Sequence, residues 1–220
     1  MLKIRNVILV LGVLMSPLAA SASQVSIAIG TPNVRIGINL PAYPRLVPVP
    51  GYPVYYAPQI NANYFFYDGM YWVYQDDDWY ASTWYNGPWG RVDRMDVPVY
   101  VLRVPVSYYR RPPRYFHGWT PEAPPRWGDH WGREWLERRG DWDRWERPAP
   151  LPAYQGQYSG NRYPSQVQQQ YQLNQQKYQY QPRDPEVRKY YDQWGKGQRP
   201  GPGQGPGQGQ GKDKGHDRNY

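Results

Sequence analysis

Asp68-Gly69 sits between Tyr64-Phe65-Phe66-Tyr67 and Met70-Tyr71-Trp72-Val73-Tyr74, and no other feature limits the fold so strongly. Asp and Gly both tolerate the positive φ that a two-residue hairpin turn demands, and aromatic flanks favour strands. Asp76-Asp77-Asp78 predicts the next turn, and Trp79 to Trp84 a third strand. Asn86-Gly87-Pro88 turns again into Trp89 to Val92. Val97 to Val106 reads as a last strand, confined by Pro98 and Pro105 to an edge or to its ends. Residues 60–106 therefore predict an antiparallel meander or small open barrel, and the chain is expected to be mainly β. Alternation places Tyr71 and Val73 on one face of that sheet and Trp72 and Tyr74 on the other. Two aromatic faces need two covers. The expected covers are the unit's own curl on one side and a helix or the N-terminal hairpin on the other.

Proline confines regular structure elsewhere. Residues 23–40 alternate as Val25, Ile27, Ile29, then Val34, Ile36, Ile38 and Leu40 around Thr31-Pro32-Asn33, which predicts a β-hairpin. Residues 41–59 hold six prolines and read as an extended connector. Residues 107–127 form a second connector, rich in Pro and Arg. Over 128–147 the period changes. At about 100° per residue, Trp127, Trp131, Trp135, Trp142 and Trp145 fall within about 80°, which predicts an amphipathic helix, weakened by Gly132 and Gly140 so that a kink or two short helices are the alternative. Residues 148–194 are rich in Tyr and Gln. Within them Asp184-Pro185-Glu186 opens a short helix with Val187, Tyr190, Tyr191 and Trp194 on one face. From 195 to 211 the chain is only Gly, Pro, Gln, Lys and Arg, no apolar residue follows until Tyr220, and a disordered tail is expected for 195–220.

The first 22 residues have the order of a cleavable secretory signal. Lys3 and Arg5 precede an apolar Val7 to Met15, Pro17 interrupts, and Ala20-Ser21-Ala22 supplies small residues for cleavage. That apolar run is too short for a transmembrane helix, and no later stretch is long or apolar enough to be one. The chain has no cysteine, which excludes disulfides, thiolate catalysis and cysteine-ligated metals. The formal charge of +8 gathers late: residues 148–220 carry ten Lys and Arg against five acids, whereas 54–116 balance six Arg with six Asp. A basic tail reads first as a solvated, soluble segment and second as a contact for anionic polysaccharide, lipid head groups or nucleic acid.

Motifs of hydrolases and phosphate-binding loops are absent. His117, His130 and His216 show no i, i+3 or i, i+4 pairing for a metal, and no cofactor is expected. Asp76, Asp77 and Asp78, with Asp68 expected nearby, form the sharpest acidic cluster. They read as a solvated turn, against a weak calcium site or a carboxylate pair for glycoside hydrolysis. The aromatics carry most of the functional signal. Trp72, Trp79, Trp84, Trp89, Trp127, Trp131, Trp135, Trp142 and Trp145 are the candidate interaction surface, because indole combines a flat apolar face with one polar handle.

Trp84-x-x-Gly87-x-Trp89 resembles the W-x-x-G-x-W pattern of short exported bacterial repeat proteins, here present once. More broadly, the order of parts over about residues 52–147 is similar to that of an uncharacterised exported family of proteobacteria. That resemblance implies an envelope location, no established activity and no functional residues. The expected function is a non-enzymatic exported envelope protein, periplasmic or extracellular, whose aromatic surface binds protein, glycan or itself. Alternatives are a glycan-binding module with exposed Trp and Tyr platforms and a peripheral membrane binder using the Trp helix. Nucleic acid is not an expected partner of an exported chain.

Overall fold

The computed structural model describes residues 36–133, 135 and 147–195. The predicted signal at residues 1–22, most of the predicted 23–40 hairpin, Trp142, Trp145 and the segment after 195 lie outside these residues. Six strands form one open antiparallel sheet in sequence order: β1 (Val47–Pro48), β2 (Val54–Tyr56), β3 (Asn63–Tyr67), β4 (Met70–Gln75), β5 (Asp78–Ser82) and β6 (Gly90–Val92). This is the predicted mainly β class, as an open meander.

Two turns set the register. Tyr67 pairs with Met70 across Asp68 (φ 47°) and Gly69 (φ 91°), and Gln75 pairs with Asp78 across Asp76 (φ 52°) and Asp77 (φ 64°). Positive φ at both central residues is the type I′ requirement, and Asp is among the few side chains that meet it cheaply. The two turns lie at opposite ends of β4, so Asp68 is not beside Asp76–Asp78, contrary to the sequence expectation.

Other expectations are corrected by local chemistry. The connector at 41–59 contains β1 and β2. Pro48 is accommodated because β1 is an edge strand, and the Val49 N–H donates to the Val54 carbonyl at 2.8 Å to close the hairpin. Val97–Val106 is not a strand. It forms α1 (Val99–Leu102) and leads into a 3-10 turn at Val106–Tyr108. The Pro98 carbonyl accepts from the N–H groups of Val101 (3.0 Å) and Leu102 (3.1 Å), starting a helical turn. Val97, Val101 and Val104 are thereby buried against the sheet, and tertiary burial overrides their β-branched preference. The connector at 107–127 supplies the buried Tyr109 and Phe116. Of the predicted Trp helix, residues 134 and 136–146 lie outside the described residues. α2 spans Trp127–Trp131 and ends at Gly132, whose φ of 104° takes the backbone out of the helical region.

The C-terminal part holds two helices where one was expected, α3 (Val167–Lys177) and α4 (Pro185–Gly195). α4 begins as predicted: the Asp184 carboxylate accepts from the N–H groups of Glu186 (3.0 Å) and Val187 (3.4 Å). Val187, Tyr190, Tyr191 and Trp194 are all buried. Trp194 lies so close to Gly90 of β6 that a Cβ there would stand 2.4 Å from the ring.

Both sheet faces are covered. One face presents Phe65, Tyr67, Met70, Trp72, Tyr74 and Trp79 to a cover built from residues 97–135 and α4. The opposite face presents Tyr64, Phe66, Tyr71 and Val73 to segments around 36–46 and 149–180. The chain thus crosses from the second face to the first just before α4. At that crossing the buried Asp68 carboxylate accepts from the Tyr180 hydroxyl (2.5 Å) and the N–H groups of Arg183 (2.7 Å) and Asp184 (2.8 Å). Burial pushes the Asp68 carboxyl up, with these hydrogen bonds opposing.

Candidate functional site

The polar cluster with the most convergent geometry lies at the other end of β4. The β4–β5 turn lifts Asp77 over the margin of the Trp-bearing face. Its Oδ1 accepts from the Tyr74 hydroxyl at 2.5 Å and the Tyr115 hydroxyl at 3.0 Å, and meets His130 Nε2 at 2.8 Å. The Tyr74 and Tyr115 hydroxyls are also hydrogen-bonded to each other. Tyr115 lies flat on His130, with ring centroids 3.7 Å apart and planes inclined by 13°. Tyr74 belongs to β4, Tyr115 to the 3-10 turn Arg114–Phe116 and His130 to α2, so Asp77 joins three otherwise separate segments.

Its electrostatics suit a clasp. Burial alone would raise the Asp77 carboxyl, but hydrogen bonds from Tyr74, His130 and Tyr115 outweigh it and hold it below the usual carboxylate range. Burial, reinforced by the neighbouring carboxylate, pushes both tyrosine hydroxyls well above their ordinary range, so neither is a phenolate near neutral pH. Asp77 is thus an anionic acceptor on which the three segments converge.

The rest of the acidic run points to different partners. Asp78 pairs with Arg91 at 2.6 Å, and Asp76 accepts from Gln75 Nε2 at 3.1 Å. No three His, Asp or Glu side chains among the described residues are grouped to hold a metal ion.

The tryptophans predicted as an interaction surface are placed inward. Trp72, Trp79, Trp84, Trp89, Trp127, Trp131 and Trp135 are each at most 7 % exposed. Trp127 and Trp131 stack with centroids 4.1 Å apart, as i, i+4 neighbours on one helical face should, and both pack edge-on against Tyr74. Trp84 is boxed edge-on by Tyr154, Tyr158 and Tyr163, and its Nε1 donates to the Gln170 carbonyl at 3.2 Å. The Trp84-x-x-Gly87-x-Trp89 pattern has a steric reason. Gly87 has φ 86°, and a Cβ on it would lie 2.8 Å from the Trp89 ring. Trp142 and Trp145 lie outside the described residues.

Sequence reasoning missed Tyr115 and His130 as partners of Asp77. They stand 38 and 53 positions away, and no periodicity links such residues. Comparison with protein-family models, curated proteins and solved structures returns no match to the chain.

Proposed function

We propose that this protein is a non-enzymatic exported envelope protein, in which the aromatic residues build a rigid scaffold and binding is left to the polar surface laid over it. The observation that carries this reading is the inward placement of the seven described candidate tryptophans. Buried aromatics each remove roughly 150–250 Å² from water, which lets a small cysteine-free sheet hold together without disulfides. The Asp77 clasp supports the non-enzymatic part, since its carboxylate is engaged by three donors from the chain itself. Export rests on the Lys3, Arg5, Val7 to Met15 and Ala20-Ser21-Ala22 order. No helix among the described residues is long and apolar enough to cross a membrane.

Cell fractionation with N-terminal sequencing tests the reading. The expected product begins at Ser23 and is recovered from periplasm or medium. An intact Met1 form confined to the cytoplasm overturns it.

A further inference from the structure

Residues 104–120 contain Arg110, Arg111 and Arg114 and no acidic residue. All three arginines are exposed, and none has an ion-pair partner among the described residues. Exposed arginines are ordinary on a flexible loop, but this loop is fixed on both sides. The Asn63 side chain of β3 donates to the Arg111 carbonyl at 2.7 Å and accepts from the Arg111 N–H at 2.8 Å, as a neighbouring strand would. Tyr109 and Phe116, which bracket the arginines, are buried in the Trp-bearing face. Between them Pro112 and Pro113 stiffen the backbone, with Pro113 at φ −63° and ψ 157°. In that extended conformation Arg111 and Arg114 stand one left-handed turn apart, about 9 Å between α-carbons. The nearest acid of the clasp, Asp77, is already held by Tyr74, Tyr115 and His130.

We infer that Arg110, Arg111 and Arg114 form a preorganised binding row for an anionic polysaccharide, one bearing carboxylate groups along its length. Guanidinium forks match carboxylate geometry, and a row carried on a held backbone loses only side-chain freedom when a repeating anion docks on it. The half-buried Tyr108 flanks the row and offers the kind of amphipathic ring that sugars stack on, while Tyr115 at the other end already lies flat on His130. A membrane is the poorer partner, because the apolar side chains of this loop are turned into the core. Trp119 is no insertion anchor either: it is stacked on Phe116 at 4.5 Å and lies beneath the Arg126 guanidinium at 5.4 Å. A strand-forming acidic peptide fits less well, since Asn63 occupies the Arg111 backbone groups that such a peptide would pair with. The inference deepens the proposed envelope role by naming a partner class. It is read on purified protein, so its failure is distinct from a failure of export.

The experiment measures binding of the full-length protein to polygalacturonate, with neutral dextran, polyglutamate and phosphatidylglycerol vesicles in parallel. Two variants with the same charge loss are compared: R110Q/R111Q/R114Q, and R45Q/R147Q/R162Q, whose arginines are exposed elsewhere. Melting curves confirm that both variants fold. The expected result is salt-sensitive binding to polygalacturonate, weakened about tenfold or more by the first triple and less than about threefold by the second. Equal weakening by both triples reduces the effect to net charge and overturns the inference. So does absent binding to polygalacturonate, equal affinity for polyglutamate, or a preference for vesicles.

Discussion

The two faces of the sheet solve the same burial problem with different chemistry. Among the described residues, the face covered by residues 97–135 and α4 buries six tryptophans, Trp72, Trp79, Trp127, Trp131, Trp135 and Trp194, whereas the opposite face buries Trp89, with Trp84 boxed by tyrosines of the 149–180 segment. On the Trp-rich face the paired tyrosine hydroxyls reach the margin: Tyr74 to Asp77, Tyr67 to Asp184, and Tyr190 to Asp96. Inside it, the Trp79 and Trp131 indole N–H groups and the Tyr109 hydroxyl have no hydrogen-bond partner among the described residues. On the Tyr-rich face the Trp89 indole N–H is likewise without a partner among the described residues, but three tyrosine hydroxyls bond within the layer. Tyr64 donates to the Tyr85 carbonyl at 2.6 Å, Tyr71 to Gln155 Oε1 at 2.9 Å, and Tyr85 to the Tyr158 carbonyl at 2.9 Å. The first layer is held by area and ring packing. The second adds directional bonds, which fix where its irregular cover must lie.

The largest change should come from the Trp-rich layer. Trp127→Ala removes an indole that stacks on Trp131 and donates to the Leu102 carbonyl at 2.9 Å. Thermal or urea unfolding should show a loss of about 3–5 kcal/mol. An unchanged melting temperature would mean that α2 does not dock as described.

The seam between the layers should respond to pH. Burial raises the Asp184 carboxyl to about 7, and Glu186 adds to the shift. The folded state therefore holds this proton more tightly than the unfolded state. The resulting stabilisation is present below the ordinary carboxylate pKa and is lost as pH rises through about 7. Asp184→Asn keeps a capping oxygen and removes the charge. It should flatten the fall in stability between pH 4 and 7 and stabilise the protein at pH 8, by at most about 4 kcal/mol. A variant whose melting temperature follows the wild-type pH profile would contradict this.

A smaller pair of substitutions tests the contrast with one chemical change made on each face. Tyr71→Phe strands the Gln155 acceptor in the Tyr-rich layer and should cost about 1–3 kcal/mol. Tyr109→Phe deletes a buried hydroxyl that is unpartnered among the described residues and should stay within about 0.5 kcal/mol of wild type, or stabilise. Equal losses from both, measured by denaturant titration, would erase the distinction between the layers.

The sheet was legible where short-range chemistry decides it. Asp68-Gly69 and Asp76-Asp77 are turns because few residues accept positive φ, and alternation assigned Trp72 and Tyr71 to opposite faces. The start of α4 was legible from Asp184 and Pro185 for the same local reasons. Val97–Val106 was misread because its β-branched residues obey the core that receives them rather than their own preference. α3 carries no comparable signal. Its buried residues are Gln170 and Asn174, and Gln170 is placed by donating to the Gly87 carbonyl at 2.8 Å and the Pro164 carbonyl at 2.6 Å. Polar anchors of that kind are unreadable until their acceptors are in position. The Asp77 clasp and the Arg111 brace depend likewise on residues brought together by the finished sheet.

The crossing at Asp68 bears on the order of events as the chain is made. The meander is complete by Val92, yet Asp68 receives the groups of Tyr180, Arg183 and Asp184 from more than 110 positions later. Until that last stretch is available, part of each aromatic face lacks its cover, and the loops to be closed are long. Such distant pairings slow folding and lengthen the life of open, sticky intermediates. A polypeptide whose core closes only with Trp194 stays open until that stretch has been synthesised.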